Sequence, residues 1–253
     1  MKTVAIGDIH GLTTWKQIVE KENPDRVIFV GDYFDSFDIP GIDQIHNFKE
    51  IVEYKETAFT DDHRKVNVIL LIGNHDYHYF PEIGYTGTSG YQFNIAPSIV
   101  QVVDENRKHL QMAYQMDDFL FTHAGVSSAF MDSVFGKSGW KIENISVNLN
   151  EMFKYKPKTF EFGMAMTAAN MSYVDITGDD VEQSPIWIRP RSLMKANRNT
   201  LRKKVIQIAG HTQMDAVDIQ GKTTGKRYWF IDTLNTSREY LVINNGEIAI
   251  NKL

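Results

Sequence analysis

Several short apolar, β-branched runs in this chain stop at a glycine followed by an acid, an amide or a histidine, and this constrains the fold more than any other feature. The runs at residues 2–7 (Lys-Thr-Val-Ala-Ile-Gly), 26–31 (Arg-Val-Ile-Phe-Val-Gly) and 66–72 (Val-Asn-Val-Ile-Leu-Leu-Ile) are apolar almost throughout rather than alternating. Strands buried on both faces have that pattern. Between them, residues 12–22 and 42–58 are polar-rich and amphipathic at helical spacing. The first third therefore reads as a β-α-β-α-β unit with a parallel sheet. Further strands are predicted over 119–123, 205–209, 227–231, 239–244 and 247–251, the last two joined as a hairpin through Asn245-Gly246. Residues 126–185 differ: they read as helix and loop, and are expected to form a cap inserted into the sheet scaffold. Their methionines (Met152, Met164, Met166, Met171) read as packing in preference to a substrate-contacting surface.

A chain of 253 residues is long enough to bury a substantial core as one α/β domain, so a single domain over residues 1–253 is the expectation. No apolar run approaches the roughly 18 residues of a membrane span, and the opening Met-Lys-Thr-Val-Ala-Ile-Gly-Asp becomes strand-like at once. A cytoplasmic protein without a membrane partner is expected. The absence of cysteine excludes disulfides, thiolate metal sites and cysteine nucleophiles, so any metal must be held by His, Asp, Glu or Asn. The net charge of −5 argues against general nucleic-acid binding, but the charge is unevenly spread. Seven Lys or Arg and no acid fall between Arg189 and Lys204, leaving the rest of the chain at −12. Two readings of that segment stay open: a solvated helix face, or a rim that attracts phosphate.

The residues just beyond each apolar run carry the chemistry. The runs end in Gly7-Asp8-Ile9-His10-Gly11, Gly31-Asp32-Tyr33-Phe34-Asp35 and Gly73-Asn74-His75-Asp76; the strands at 119 and 205 deliver Thr122-His123-Ala124-Gly125 and Ala209-Gly210-His211-Thr212. Parallel sheets bind ligands at the carboxyl ends of their strands. Five strand ends are thus expected to bring Asp, His and Asn side chains to one edge, with glycines leaving room for an ion or oxyanion beside the main chain. The remaining histidines, His46, His63, His78 and His109, lack that context and are assigned to the surface.

Taken together, Gly-Asp-Ile-His-Gly, Gly-Asp-Tyr-Phe-Asp, Gly-Asn-His-Asp, His-Ala-Gly and Gly-His-Thr resemble the ordered signature of the calcineurin-like metallophosphoesterases. Within them the sequence is similar to the phosphoprotein phosphatase branch and its bacterial and phage relatives, diadenosine tetraphosphatases included. Trp187-Ile188-Arg189-Pro190-Arg191 also resembles the Trp-x-Arg element of the bacterial and phage members. The resemblance implies a β-sandwich flanked by helices. It further implies that Asp8 and His10 bind one metal, that Asp32 bridges two, and that Asn74, His123 and His211 complete the second. A carboxylate screening two divalent ions about 3.5–4 Å apart suits a site that activates water and clamps phosphate oxygens. Nitrogen and oxygen ligands without sulfur suit two divalent ions such as Mn, with Fe or Zn as alternatives.

The same resemblance makes His75 the acid that protonates the leaving oxygen, with Asp35 holding its ring; the other reading of Asp35 is a cap on the following loop. Asp76 is assigned a structural role. Arg189 is the candidate phosphate grip and Arg191 a weaker second, because guanidinium offers a fork matched to phosphate; packing against Trp187 is the alternative. One departure stands out. The phosphatase branch continues its second motif Asp-Arg-Gly, and here the text is Asp35-Ser36-Phe37, so a substrate-binding cation is missing. Phosphate binding must then lean on the metals, Asn74 and Arg189.

Three functions are compatible with these residues. The leading one is hydrolysis of phosphomonoesters in the manner of a serine/threonine protein phosphatase. The second directs the same site to a nucleotide substrate, a dinucleoside polyphosphate or a phosphorylated or cyclic-phosphate nucleic-acid end. The third is a non-catalytic binding scaffold, for which the full ligand set would be unnecessary.

Overall fold

The computed structural model describes residues 1–87, 90–163, 180–196, 201–220 and 228–253, and for residues 202 and 203 the backbone only. Of the methionines read as packing, Met164, Met166 and Met171 lie outside the described residues, as do Arg198 and the Arg202 and Lys203 side chains of the basic segment. The chain divides into two compact units. The first comprises Met1–Leu110, Gln213–Val217 and Ile231–Leu253; the second comprises Gln111–Thr212 and Asp218–Phe230.

In the first unit, β1 (Lys2–Ile6), β2 (Arg26–Phe29) and β3 (Asn67–Leu71) pair in parallel in the order predicted, connected by α1 (Trp15–Glu22) and α2 (Gly41–Thr57). Val4, Ala5, Ile6, Val27, Ile28 and Phe29 are wholly buried. That explains why these runs do not alternate, and each large apolar side chain so buried stabilises the fold by roughly 1.5–3 kcal/mol. The α1 helix begins three residues later than its sequence pattern, because Gly11 takes a φ of +77° and Leu12 N–H closes a turn on the Ile9 carbonyl. Residues 74–77 form a short α3 (Asn74–Tyr77), and α4 (Ala96–Glu105) follows; the latter has no counterpart in the sequence reading. The chain returns as β10 (Glu239–Asn244), antiparallel to β1, and β11 (Glu247–Lys252). Their hairpin turns at Asn245 and Gly246, with φ +50° and +84°, the two left-handed positions such a turn demands. The sheet order is β11-β10-β1-β2-β3-β4, with the two-residue β4 (Leu110–Gln111) at the edge.

The second unit contains a five-stranded sheet of β5 (Ala113–Met116), β6 (Phe119–Thr122), β7 (Ile206–Ala209), β8 (Asp218–Gln220) and β9 (Tyr228–Phe230), ordered β5-β6-β7-β9-β8. Strands β6 and β7 are parallel neighbours although some eighty residues separate them. Residues 126–163 are helix and loop as expected, with α5 (Ser128–Phe135) and α6 (Ile145–Tyr155); α7 (Pro190–Ala196) and α8 (Leu201–Lys204) precede β7. The Ser127 hydroxyl caps α5 by accepting the Phe130 N–H at 2.9 Å. Asn150 of α6 ties that helix to β5, accepting the N–H groups of Met112 and Ala113 and donating to the Ala113 carbonyl. Among the described residues, no helix is long and apolar enough to cross a membrane.

Candidate active site

Three parallel strand ends assemble the site in the first unit. After β1 and β2 the two loops run side by side: Ile9 and His10 donate their N–H groups to the Asp32 carbonyl at 3.1 and 2.6 Å, and Gly11 donates to Tyr33 at 3.1 Å. This zipper sets Asp8 and His10 against Asp32. One ligand atom from each of the three lies within 4.8 Å of the others. His10 Nδ1 is 2.7 Å from the Phe34 carbonyl; a carbonyl only accepts, so Nδ1 carries the proton and Nε2 presents its lone pair. That nitrogen stands 3.7 Å from Asp32 Oδ2, beyond hydrogen-bond reach and within the span of two ligands on one ion. Asp8 and Asp32 are 3% and 2% exposed. Two neighbouring carboxylates out of water repel each other and lose hydration, a cost that a bound cation relieves. These residues therefore fit a divalent ion.

The backbone is strained in the same place. His10, Asp32 and Asp35 have φ of +40°, +52° and +65°, a left-handed conformation that side chains other than glycine enter at a cost. Asp76 holds the arrangement from below: fully buried, its carboxylate accepts the N–H groups of Gly73 at 2.8 Å, Asp32 at 2.8 Å and Tyr33 at 2.7 Å. The structural role expected of Asp76 is thus visible in its bonds. Asn74, also buried, is the first residue of α3 at the end of β3.

Beside this cluster His75 Nδ1 lies 2.9 Å from Asp35 Oδ2, and the His75 ring meets that of His10 edge-on at 5.3 Å. Burial by itself lowers the His75 pKa, but the charges of Asp32, Asp35 and Asp76 and the Asp35 hydrogen bond outweigh it and raise it to about 9. Burial pushes the Asp35 carboxyl up, and the bonds and charges of His75 and His78 bring it below the ordinary range. The loop after Asp35 is capped by Ser36, whose hydroxyl accepts the N–H groups of Asp38 at 3.3 Å and Ile39 at 3.2 Å; the Asp35 carboxylate turns inward instead.

His78 departs from its expected place. Assigned to the surface, it is wholly buried with Nε2 2.7 Å from Asp35 Oδ2. Its spacing of three from His75 puts both on one side of a helical turn, and its neighbours Tyr77, Tyr79 and Phe80 are all buried. That aromatic context was the available signal. His46 and His63 are exposed as expected, and His109 is half-buried against Glu56, at 3.2 Å.

In the second unit, His123 and His211 follow the adjacent parallel strands β6 and β7. Their rings are 5.2 Å apart, and Gly210 N–H donates to the His123 carbonyl at 2.7 Å. His211, at φ +67°, places Nε2 3.1 Å from the Trp187 carbonyl, so its lone pair resides on Nδ1. Trp187 is buried against Phe162 and His211. Arg189 is half-buried, and its Nη1 donates to the His211 carbonyl and to Thr212 Oγ1, both at 3.2 Å. Arg191 stands exposed near the start of α7.

A family model described as calcineurin-like phosphoesterase matches residues 1–215. No curated protein sequence matches the chain. Among solved structures, a cold-active protein-tyrosine phosphatase from a psychrophilic Shewanella species has a TM-score of 0.64 at 16% identity, over 98% of this chain and 77% of its own. A protein serine/threonine phosphatase from Saccharomyces cerevisiae has a TM-score of 0.54 at 14% identity, over 99% and 79%. A putative diadenosine tetraphosphatase has 0.50 at 13% identity, over 99% and 92%. At these identities the likeness concerns the fold.

Proposed function

Because the chain belongs to the calcineurin-like phosphoesterases, metal-dependent hydrolases of phosphoric esters, we propose that it hydrolyses phosphomonoesters in the manner of a serine/threonine protein phosphatase. The observation that carries this reading is the Asp8-His10-Asp32 cluster with the His75-Asp35 pair beside it. In this reading Asp8, His10 and Asp32 would hold one ion, and Asn74, His123 and His211 are candidates for a second on the family's motif order alone. Manganese is the proposed metal. When bound, such ions polarise phosphoryl oxygens and make a water acidic enough to act as nucleophile near neutral pH.

The rest of the chemistry belongs to side chains. Asp35 accepts the Nδ1 proton of His75, which leaves Nε2 as the nitrogen that delivers a proton to the departing oxygen. Arg189 neutralises charge on the phosphoryl group through its remaining guanidinium donors. Purified protein supplied with Mn(II) is to be assayed on p-nitrophenyl phosphate, a phosphoserine peptide and a dinucleoside polyphosphate. The expected result is turnover of the first two, lost on both in Asp32→Asn and lost in His75→Asn chiefly on the phosphoserine peptide, whose alkoxide leaving group needs the proton. Preference for the dinucleotide would move the function to nucleotide substrates, and unchanged turnover in both variants would remove the mechanism.

A further inference from the structure

The Asp35 carboxylate is contacted from four directions. Oδ2 faces two imidazoles, His75 Nδ1 at 2.9 Å and His78 Nε2 at 2.7 Å; Oδ1 accepts the Tyr79 hydroxyl at 2.5 Å and Gln92 Nε2 at 3.5 Å. A carboxylate offers about four acceptor sites. The His78 contact is one of charge and packing and not an aligned hydrogen bond, but together with the three hydrogen bonds it restricts how the carboxylate turns and which oxygen it shows His75.

The donors are themselves held. Tyr79 OH accepts the Gln92 backbone N–H at 3.0 Å, so its own proton is committed to Asp35. The Tyr79 ring stacks on Tyr91 at 5.0 Å and 15°. His78 stands edge-on to both rings, at 4.5 Å from Tyr79 and 4.8 Å from Tyr91. Neither His78 nor Tyr79 is exposed to solvent, whereas the His75 side chain is 18% exposed. Of the two imidazoles on Asp35, only His75 therefore has access to substrate.

Resting on the reading of His75 as the group that protonates the leaving oxygen, we infer that His78 and Tyr79 are positioning residues which act on His75 through Asp35. They fix the carboxylate that sets the His75 tautomer and ring angle. Removing either leaves Asp35 able to turn, and proton delivery then becomes the step that suffers.

The test uses leaving-group dependence, because p-nitrophenolate departs without a proton whereas an alkoxide needs one. With Mn(II)-loaded protein, kcat/KM is measured on p-nitrophenyl phosphate and on an alkyl phosphate, for the native chain and for His75→Asn, Tyr79→Phe, His78→Leu and His78→Gln. Tyr79→Phe keeps the ring stack and removes only the hydroxyl, so it guards against loss of fold, which thermal melting and bound-metal analysis monitor. His75→Asn is expected to lose about 100-fold on the alkyl ester and far less on the aryl ester. Tyr79→Phe and His78→Leu should show the same bias at roughly tenfold, with His78→Gln, which keeps a donor, restoring most of it. Equal losses on both esters in Tyr79→Phe and His78→Leu, beside a biased His75→Asn, would overturn the inference alone. An unbiased His75→Asn would overturn the proton-donor reading and the inference with it.

Discussion

The buried carboxylate of Asp76 accepts the backbone N–H of Asp32 at 2.8 Å, so one acid pins another in a left-handed conformation. The Asp32 side chain is then free of the task of stabilising its own turn, and Oδ1 accepts the His75 N–H at 2.9 Å instead. Strain at a proposed metal-ligand position is thereby supported from a residue outside the proposed ligand set.

Asp76→Ala leaves the buried N–H groups of Gly73, Asp32 and Tyr33 without this acceptor. Each unsatisfied buried donor costs about 1–3 kcal/mol, so a loss above roughly 3 kcal/mol is expected in urea unfolding, together with weaker Mn(II) binding. A native midpoint in the variant would contradict the role given to Asp76.

Gly73→Ala tests the closeness of β3's end to Asp32. A Cβ at Gly73 would lie 2.0 Å from Asp32 Oδ1 and 2.5 Å from its backbone nitrogen, while the φ of −96° at Gly73 is ordinary. The cost is thus steric, about 1–3 kcal/mol as for overpacking elsewhere. Titration calorimetry with Mn(II) should show reduced affinity; full-strength binding would mean that Asp32 is not where the ion sits.

Glu22 gives a pH dependence remote from the site. Burial raises its pKa, but hydrogen bonds from Asn251, Tyr240 and Lys2 and the Lys2 charge prevail and lower it from 4.5. A group whose folded pKa is depressed contributes stability that is present above its unfolded pKa and lost as pH falls through the folded value. Glu22→Gln should therefore be less stable than the native chain at pH 7, by on the order of 1–3 kcal/mol for bonds to a charged acceptor. The difference should shrink as the pH is taken below about 4. Denaturation at the two pH values checks it, and a gap that widens in acid would reverse the sign.

Arg189 anchors the His211 carbonyl with one nitrogen and is proposed to meet phosphate with the others. Arg189→Ala should raise KM for a phosphomonoester by about tenfold, the worth of one charge-assisted bond, and Arg189→Lys by less because a point charge replaces the fork. An Arg191→Ala variant, at the weaker second candidate, should raise KM by less than Arg189→Ala does. Steady-state kinetics in which Arg189→Ala matches the native KM would return Arg189 to a purely structural part.

Much of this molecule was readable along the chain, because its signals are local. The eight predicted strands reappear within one or two residues; in β1, β2 and β3 this is because buried parallel strands leave uninterrupted apolar runs, while the exposed, antiparallel β11 is marked by the turn that precedes it. The Asn245-Gly246 turn was legible for the same kind of reason: its residues tolerate the two positive φ values the hairpin needs. Strands β4, β5 and β8 and helix α4 have no counterpart in the sequence reading. In β5 the Ala-Tyr-Gln-Met text is too short and too weakly β-branched to announce itself, whereas α4 does carry helical spacing in its buried Ala96, Ile99, Val102 and Val103 after an early proline.

Sequence alone determined where the chemistry-bearing residues stand, each just beyond an apolar run, and which roles their family pattern implies. Tertiary structure alone decided what those residues touch. No local pattern reveals that Asp76 receives three backbone N–H groups, that a carbonyl of Phe34 sets the His10 tautomer, or that His78 is sealed behind Asp35 and not on the surface. Periodicity reports how a segment faces its surroundings, whereas hydrogen-bond partners forty residues away are chosen only when strands from distant parts of the chain are laid side by side.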